Sequence, residues 1–113
     1  MQHDTRTLLG ILRAARLIIA FTSDTDEESF HTDVMRQSAV QHQIMIMGEA
    51  AKRLSADFRA AHPNIAWAKI AGMRDVLVHG YDVVNLEIVW QVARVNVPAL
   101  IADLEQMIDT DTE

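Results

Sequence analysis

Between Gly72 and Asp82 the chain reads Gly72-Met73-Arg74-Asp75-Val76-Leu77-Val78-His79-Gly80-Tyr81-Asp82, its one dense cluster of chemically versatile side chains. Arg74 offers a permanent charge on a planar fork of donors that suits a phosphate. His79 exchanges a proton near neutral pH. Together they can serve phosphodiester cleavage, one group moving protons and the other stabilising the charged phosphorus centre. On an uninterrupted helix, residues five apart sit about 140° from one another, so the pair would not share a face. Gly80 favours a helix end near Val78, which frees His79 to turn back toward Arg74. A second route to convergence is a dimer in which the segments of two chains face each other. Spacing alone favours a histidine that only satisfies terminal carbonyls.

Other chemistries have less support. His3, His31, His42, His62 and His79 show neither H-x3-H nor HExxH spacing, so the sequence predicts no metal site. The chain has no cysteine, which excludes a disulfide scaffold, a thiolate metal site and a cysteine nucleophile. Gly10, Gly48, Gly72 and Gly80 are isolated from one another, so no glycine-rich loop cradles a nucleotide and no cofactor is expected. Glu49 and Glu87 read as surface carboxylates paired with nearby basic residues. Trp67 and Trp90 read as packing groups before base-stacking ones.

The elements that hold the cluster are helical. Four glycines and two prolines leave long stretches without a breaker. Leu8, Leu9, Ile11, Leu12, Ala15, Ile18 and Ile19 follow helical spacing, with Asp4 or Thr5 as the expected cap and a fade near Phe21 to Ser23. The acidic stretch Asp24 to Ser29 reads as a loop or the first turn of the next helix. A long second helix is expected from Thr32 to Phe58, with Val34, Ala39, Val40, Ile44, Met47, Ala51, Leu54 and Phe58 on its apolar face. Its run Ile44-Met45-Ile46-Met47 is apolar all round, which suggests core together with a self-association face. Pro63 closes that region. A third helix is expected over Trp67 to Val78. Asn85 caps a fourth, and Asn96-Val97-Pro98 marks a break or kink before a last helical stretch. The fold class is all-α, a bundle of four to five helices in one domain over residues 1–113.

The formal net charge of −6 disfavours a general coat of nucleic acid but permits a local basic cleft. No apolar run approaches the roughly 20 residues of a membrane span, and no signal-peptide layout opens the chain, so a cytoplasmic location is expected.

Arg74-x4-His79-x-Tyr81 resembles the signature of HEPN domains, in particular the HepT-like toxins of toxin–antitoxin pairs. The resemblance covers most of the chain. It includes Gly48-Glu49-Ala50-Ala51-Lys52-Arg53-Leu54, Ile70-Ala71-Gly72-Met73-Arg74 and Leu86-Glu87-Ile88-Val89-Trp90, in that order. It implies a HEPN-type bundle acting as a homodimer whose two motifs line one cleft. It implies a metal-independent endoribonuclease acting on cellular RNA such as tRNA, with Arg74 and His79 as the catalytic pair and Tyr81 in support. It also implies a partner, an MntA-like nucleotidyltransferase antitoxin that silences the toxin by adding AMP to Tyr81. Asp75 departs from the asparagine often found after the arginine, and its carboxylate either supports the site by orienting His79 or repels the substrate phosphate; His42-Gln43 departs from a more polar or basic pair. The alternative is a catalytically idle helical dimer that serves as a binding partner of the nucleotidyltransferase.

Overall fold

A computed structural model describes residues 2–77 and 84–111. The described residues are helical, with no strand among them. In chain order the elements are α1 (Gln2–Thr22), α2 (Glu27–Phe30), α3 (Val34–Arg53), α4 (Ala56–Ala61), α5 (Trp67–Leu77), α6 (Leu86–Gln91), a π-helical segment (Val92–Asn96) and α7 (Val97–Asp111). The all-α bundle expected from periodicity is therefore the observed architecture, with more and shorter pieces.

Helix α3 is the centre of the bundle, packed against α1 and against α5. The α1 stripe Leu8, Ile11, Leu12, Ala15 and Ile18 is buried and belongs to the same core as Val40, Ile44, Met47 and Ala51 of α3. Leu100, Leu104 and Met107 of α7 complete that core. Each large apolar side chain removed from water contributes about 1.5–3 kcal/mol, which outweighs the modest propensity of either helix alone. Two large members of the expected apolar faces are exposed. Leu9 is 48% exposed and Val34, on the first turn of α3, is 70% exposed. Within the all-apolar run, Ile44 and Met47 are fully buried while Met45 remains 39% exposed.

Two expectations need correction. Asp4 is not a cap of α1. It lies within the helix, and its carboxylate accepts hydrogen bonds from the Ser55 backbone N–H at 2.9 Å and the Ser55 hydroxyl at 2.7 Å. These two bonds hold its carboxyl below the usual value. The long helix expected from Thr32 to Phe58 is divided. Asp33 caps α3 by accepting from the Arg36 N–H, α3 closes at Arg53, Leu54 turns extended (φ −66°, ψ 141°), and Ser55 starts α4 by accepting from the Phe58 N–H. Ser55 thus caps one helix while both its own donors are held by another, a stronger arrangement than continued helix at that position. At Asn96-Val97-Pro98 the expected break or kink takes the form of a π turn, through which the helical path continues. The Val97 N–H bonds to the Val92 carbonyl, five residues back. A regular helix would drive the Pro98 ring into the carbonyl four residues earlier, and the wider π turn ahead of it relieves that clash.

The acidic stretch after α1 forms its own short helix. Asp26 caps α2, and Phe30 ends it as a fully buried ring. Helix α1 has no basic residue in its last turn. Other elements serve its end instead. Arg36 of α3 donates to the Phe21 carbonyl at 2.7 Å and pairs with Asp24 and Asp33, while Arg94 of the π segment donates to the buried Thr22 hydroxyl at 3.3 Å.

Candidate active site

The segment that concentrates chemistry joins two helices whose seating is visible. Helix α5 begins where Trp67 is buried, its indole N–H donating to the His62 carbonyl at 3.0 Å and its ring 5.9 Å from that of Phe58. Trp67 therefore acts as an anchor for the start of α5, as its packing reading anticipated. One turn later Ile70 is 5% exposed in the core. Beside it, α5 meets α3 at Gly48. A Cβ at that position would lie 3.3 Å from the Ala71 carbonyl oxygen and 3.4 Å from that of Ile70. The two backbones approach this closely because glycine has no side chain to separate them.

Arg74 follows three residues after Ala71 on the same helix, and Asp75 next to it is exposed. His79 and Tyr81, with the rest of 78–83, lie outside the described residues, as does the side chain of Arg74. The chain is described again from Val84. Asn85 caps α6, its side-chain oxygen accepting from the N–H groups of Glu87 and Ile88, as the sequence predicted. Trp90 then packs on the buried Phe30 ring with centroids 5.3 Å apart, and Arg94 lies 5.9 Å above its face. The motif segment is thus bracketed by α5, seated on α3, and by α6, seated on α2 through an aromatic pair. Phe30 was not among the residues singled out from sequence, because a lone phenylalanine after an acidic run carries no periodic signal.

Of the two carboxylates weighed earlier, Glu87 is exposed in the first turn of α6, and the structural pairing is seen at Glu49. Glu49 pairs with Lys52 at 3.6 Å across one turn of α3. Among the described residues, no group of three histidine or carboxylate side chains is arranged to hold a metal ion.

Residues 11–107 match the family model described as HepT-like, ribonuclease HepT-like. That span contains α5, the whole motif segment and α6. The chain belongs to the HepT-like ribonuclease family. It is 36% identical over 100 residues to a probable ribonuclease HepT of Thermococcus cleftensis, covering 88% of this chain and 91% of that one. It is 33% identical over 105 residues to a putative RNase of Methanocaldococcus jannaschii, covering 92% and 96% of the two chains. A gamma-glutamylcyclotransferase and putative RNase of the same archaeon is 34% identical over 110 residues, 96% of this chain, and this chain spans 50% of that relative's length. No solved structure matches the chain. The family named by the resemblance of Arg74, His79 and Tyr81 is therefore the family to which the HepT-like chain belongs.

Proposed function

We propose that this HepT-like chain is the toxin of a toxin–antitoxin pair, an endoribonuclease that cleaves RNA without a metal ion. The observation that carries this reading is the family match across residues 11–107, which encloses an intact Arg74-x4-His79-x-Tyr81 on and after a well-seated α5. The RNA 2′-hydroxyl attacks the adjacent phosphorus, the bond from phosphorus to the 5′ oxygen breaks, and a 2′,3′-cyclic phosphate remains. His79 serves in the proton transfer, with the 2′ proton leaving and the departing 5′ oxygen gaining one. Arg74 holds the phosphate as negative charge builds on it. Asp75, exposed beside Arg74, supports the orientation of His79. Two copies of the chain bring two motifs to one cleft in the cytoplasm, where tRNA is a candidate substrate.

Silencing comes from the partner. An MntA-like nucleotidyltransferase transfers AMP from ATP to the Tyr81 hydroxyl, releasing pyrophosphate. The added phosphate and nucleoside, two residues from His79, oppose the substrate phosphate by charge and bulk. The alternative, an idle dimer that only binds the nucleotidyltransferase, draws on the acidic charge of −6 and on Asp75. Incubation of the purified protein with total RNA in EDTA, beside His79→Ala, separates the two. Cleavage by the unsubstituted chain alone supports the ribonuclease, and none from a folded, unmodified chain supports the idle dimer. Tyr81→Phe, which lacks the acceptor oxygen, is expected to escape silencing, and AMP transfer to that variant would move the acceptor elsewhere.

A further inference from the structure

We propose that Gly48 is a positioning residue for Arg74: its missing side chain sets the depth at which α5 rests on α3. The catalytic part of this inference rests on the ribonuclease reading, and the seating itself does not. Gly48 lies inside a 20-residue helix, where glycine is the poorest common residue after proline. Its neighbours there, Met47, Ala50 and Ala51, are buried. An alanine at this position would favour α3 locally, so helix formation gives no reason for a glycine.

The reason lies across the interface. An added Cβ would meet the Ala71 carbonyl oxygen at 3.3 Å, tighter than ordinary van der Waals contact, and the Ile70 carbonyl oxygen at 3.4 Å, at the near edge of that contact. Both obstacles are backbone atoms of α5, so no rotamer change relieves the contact. Helix α5 must give by a few tenths of an ångström. Arg74 sits about 4.5 Å along the same helix from Ala71, within one turn, and moves with it. The other helical glycines with described surroundings differ. A Cβ added at Gly10 of α1 or Gly72 of α5 meets nothing within 4 Å. Gly48 is thus the position where the helix of the site and the helix that supports it touch backbone to backbone.

The test compares the unsubstituted chain, Gly48→Ala and Gly10→Ala by RNA cleavage kinetics, thermal melting and backbone amide NMR. Gly10→Ala controls for the general gain of helix propensity in open space. Gly48→Ala is expected to melt no lower than the unsubstituted chain. Its kcat should fall about tenfold, since sub-ångström misplacement of a catalytic group is costly, with KM within about twofold. Its amide shifts should extend across to Ile70–Arg74 on α5, while Gly10→Ala leaves kcat and those amides unchanged. A folded Gly48→Ala with unchanged kcat, or a loss of activity that merely tracks a lower melting temperature, would overturn the proposal. If the unsubstituted chain cleaves no RNA, the ribonuclease reading fails separately. The amides then decide the seating: shifts on α5 uphold it, and shifts confined to α3 overturn it.

Discussion

Helix α3 holds a different kind of neighbour on each side. Toward α1 it presents large apolar side chains, and the contact is fixed at both ends by polar ties, Asp4 to Ser55 at one and Arg36 to the Phe21 carbonyl at the other. Toward α5 it presents a glycine, and the contact is set by backbone. Interdigitated side chains absorb small changes by repacking. A backbone contact cannot repack, so a change there is taken up by a shift of the helix itself. The first interface is suited to supplying stability, and the second to fixing the position of the helix that carries Arg74.

The largest effect expected from that division lies on the α5 side. Arg74→Ala and His79→Ala should each lower RNA cleavage by about 10²- to 10⁴-fold while leaving the melting temperature near that of the unsubstituted chain. Circular dichroism showing either variant unfolded would assign that residue to the scaffold instead. The next effect lies in the core. Ile44 is fully buried on α3, so Ile44→Ala should cost about 2–5 kcal/mol in urea unfolding, with cleavage per folded molecule preserved. A loss of turnover at full folding would show that the core tunes the site as well, and would erase the distinction drawn between the two interfaces.

The smallest effect concerns the polar tie between α1 and Ser55. Asp4 has its carboxyl lowered by the two Ser55 hydrogen bonds. A carboxyl lowered in the folded state stabilises the fold above its unfolded value of 3.8. That contribution is lost as pH falls through the lower, folded value. Asp26 and Asp33 act in the same direction through their capping bonds. Melting temperature should therefore drop below about pH 4. Asp4→Asn should lower it at pH 7 and shrink the further drop in acid. An acid transition of unchanged size in that variant would leave the helix caps at Asp26 and Asp33 as its source.

Much of this was legible in the amino-acid sequence because it depends on local rules. The 3.6-residue spacing of Leu8, Ile11, Leu12, Ala15 and Ile18 announces the buried stripe of α1. Asn85 announces the start of α6, since a side-chain oxygen at that place satisfies N–H groups only two and three residues away. The approximate limits of α5 and the residue types of the motif were legible for the same reason, as was the family, because the blocks around Gly48, Ile70 and Leu86 keep their order.

What the tertiary structure decided involves partners far apart in the chain. Periodicity continues smoothly across Leu54-Ser55, yet α3 ends there because Asp4, 51 residues away, takes both donors of Ser55. Pro98 signals a break or kink, and that it is a π turn within a continuing helical path depends on Val92 of the π segment and Val97 of α7, buried on either side of it. Gly48 reads in the sequence only as an isolated glycine within a helix, and only the carbonyls of Ile70 and Ala71 show that the missing side chain is what lets α5 rest against α3. Local propensity and spacing act over a few residues, and the depth of one helix against another is set by atoms that sequence order does not place together.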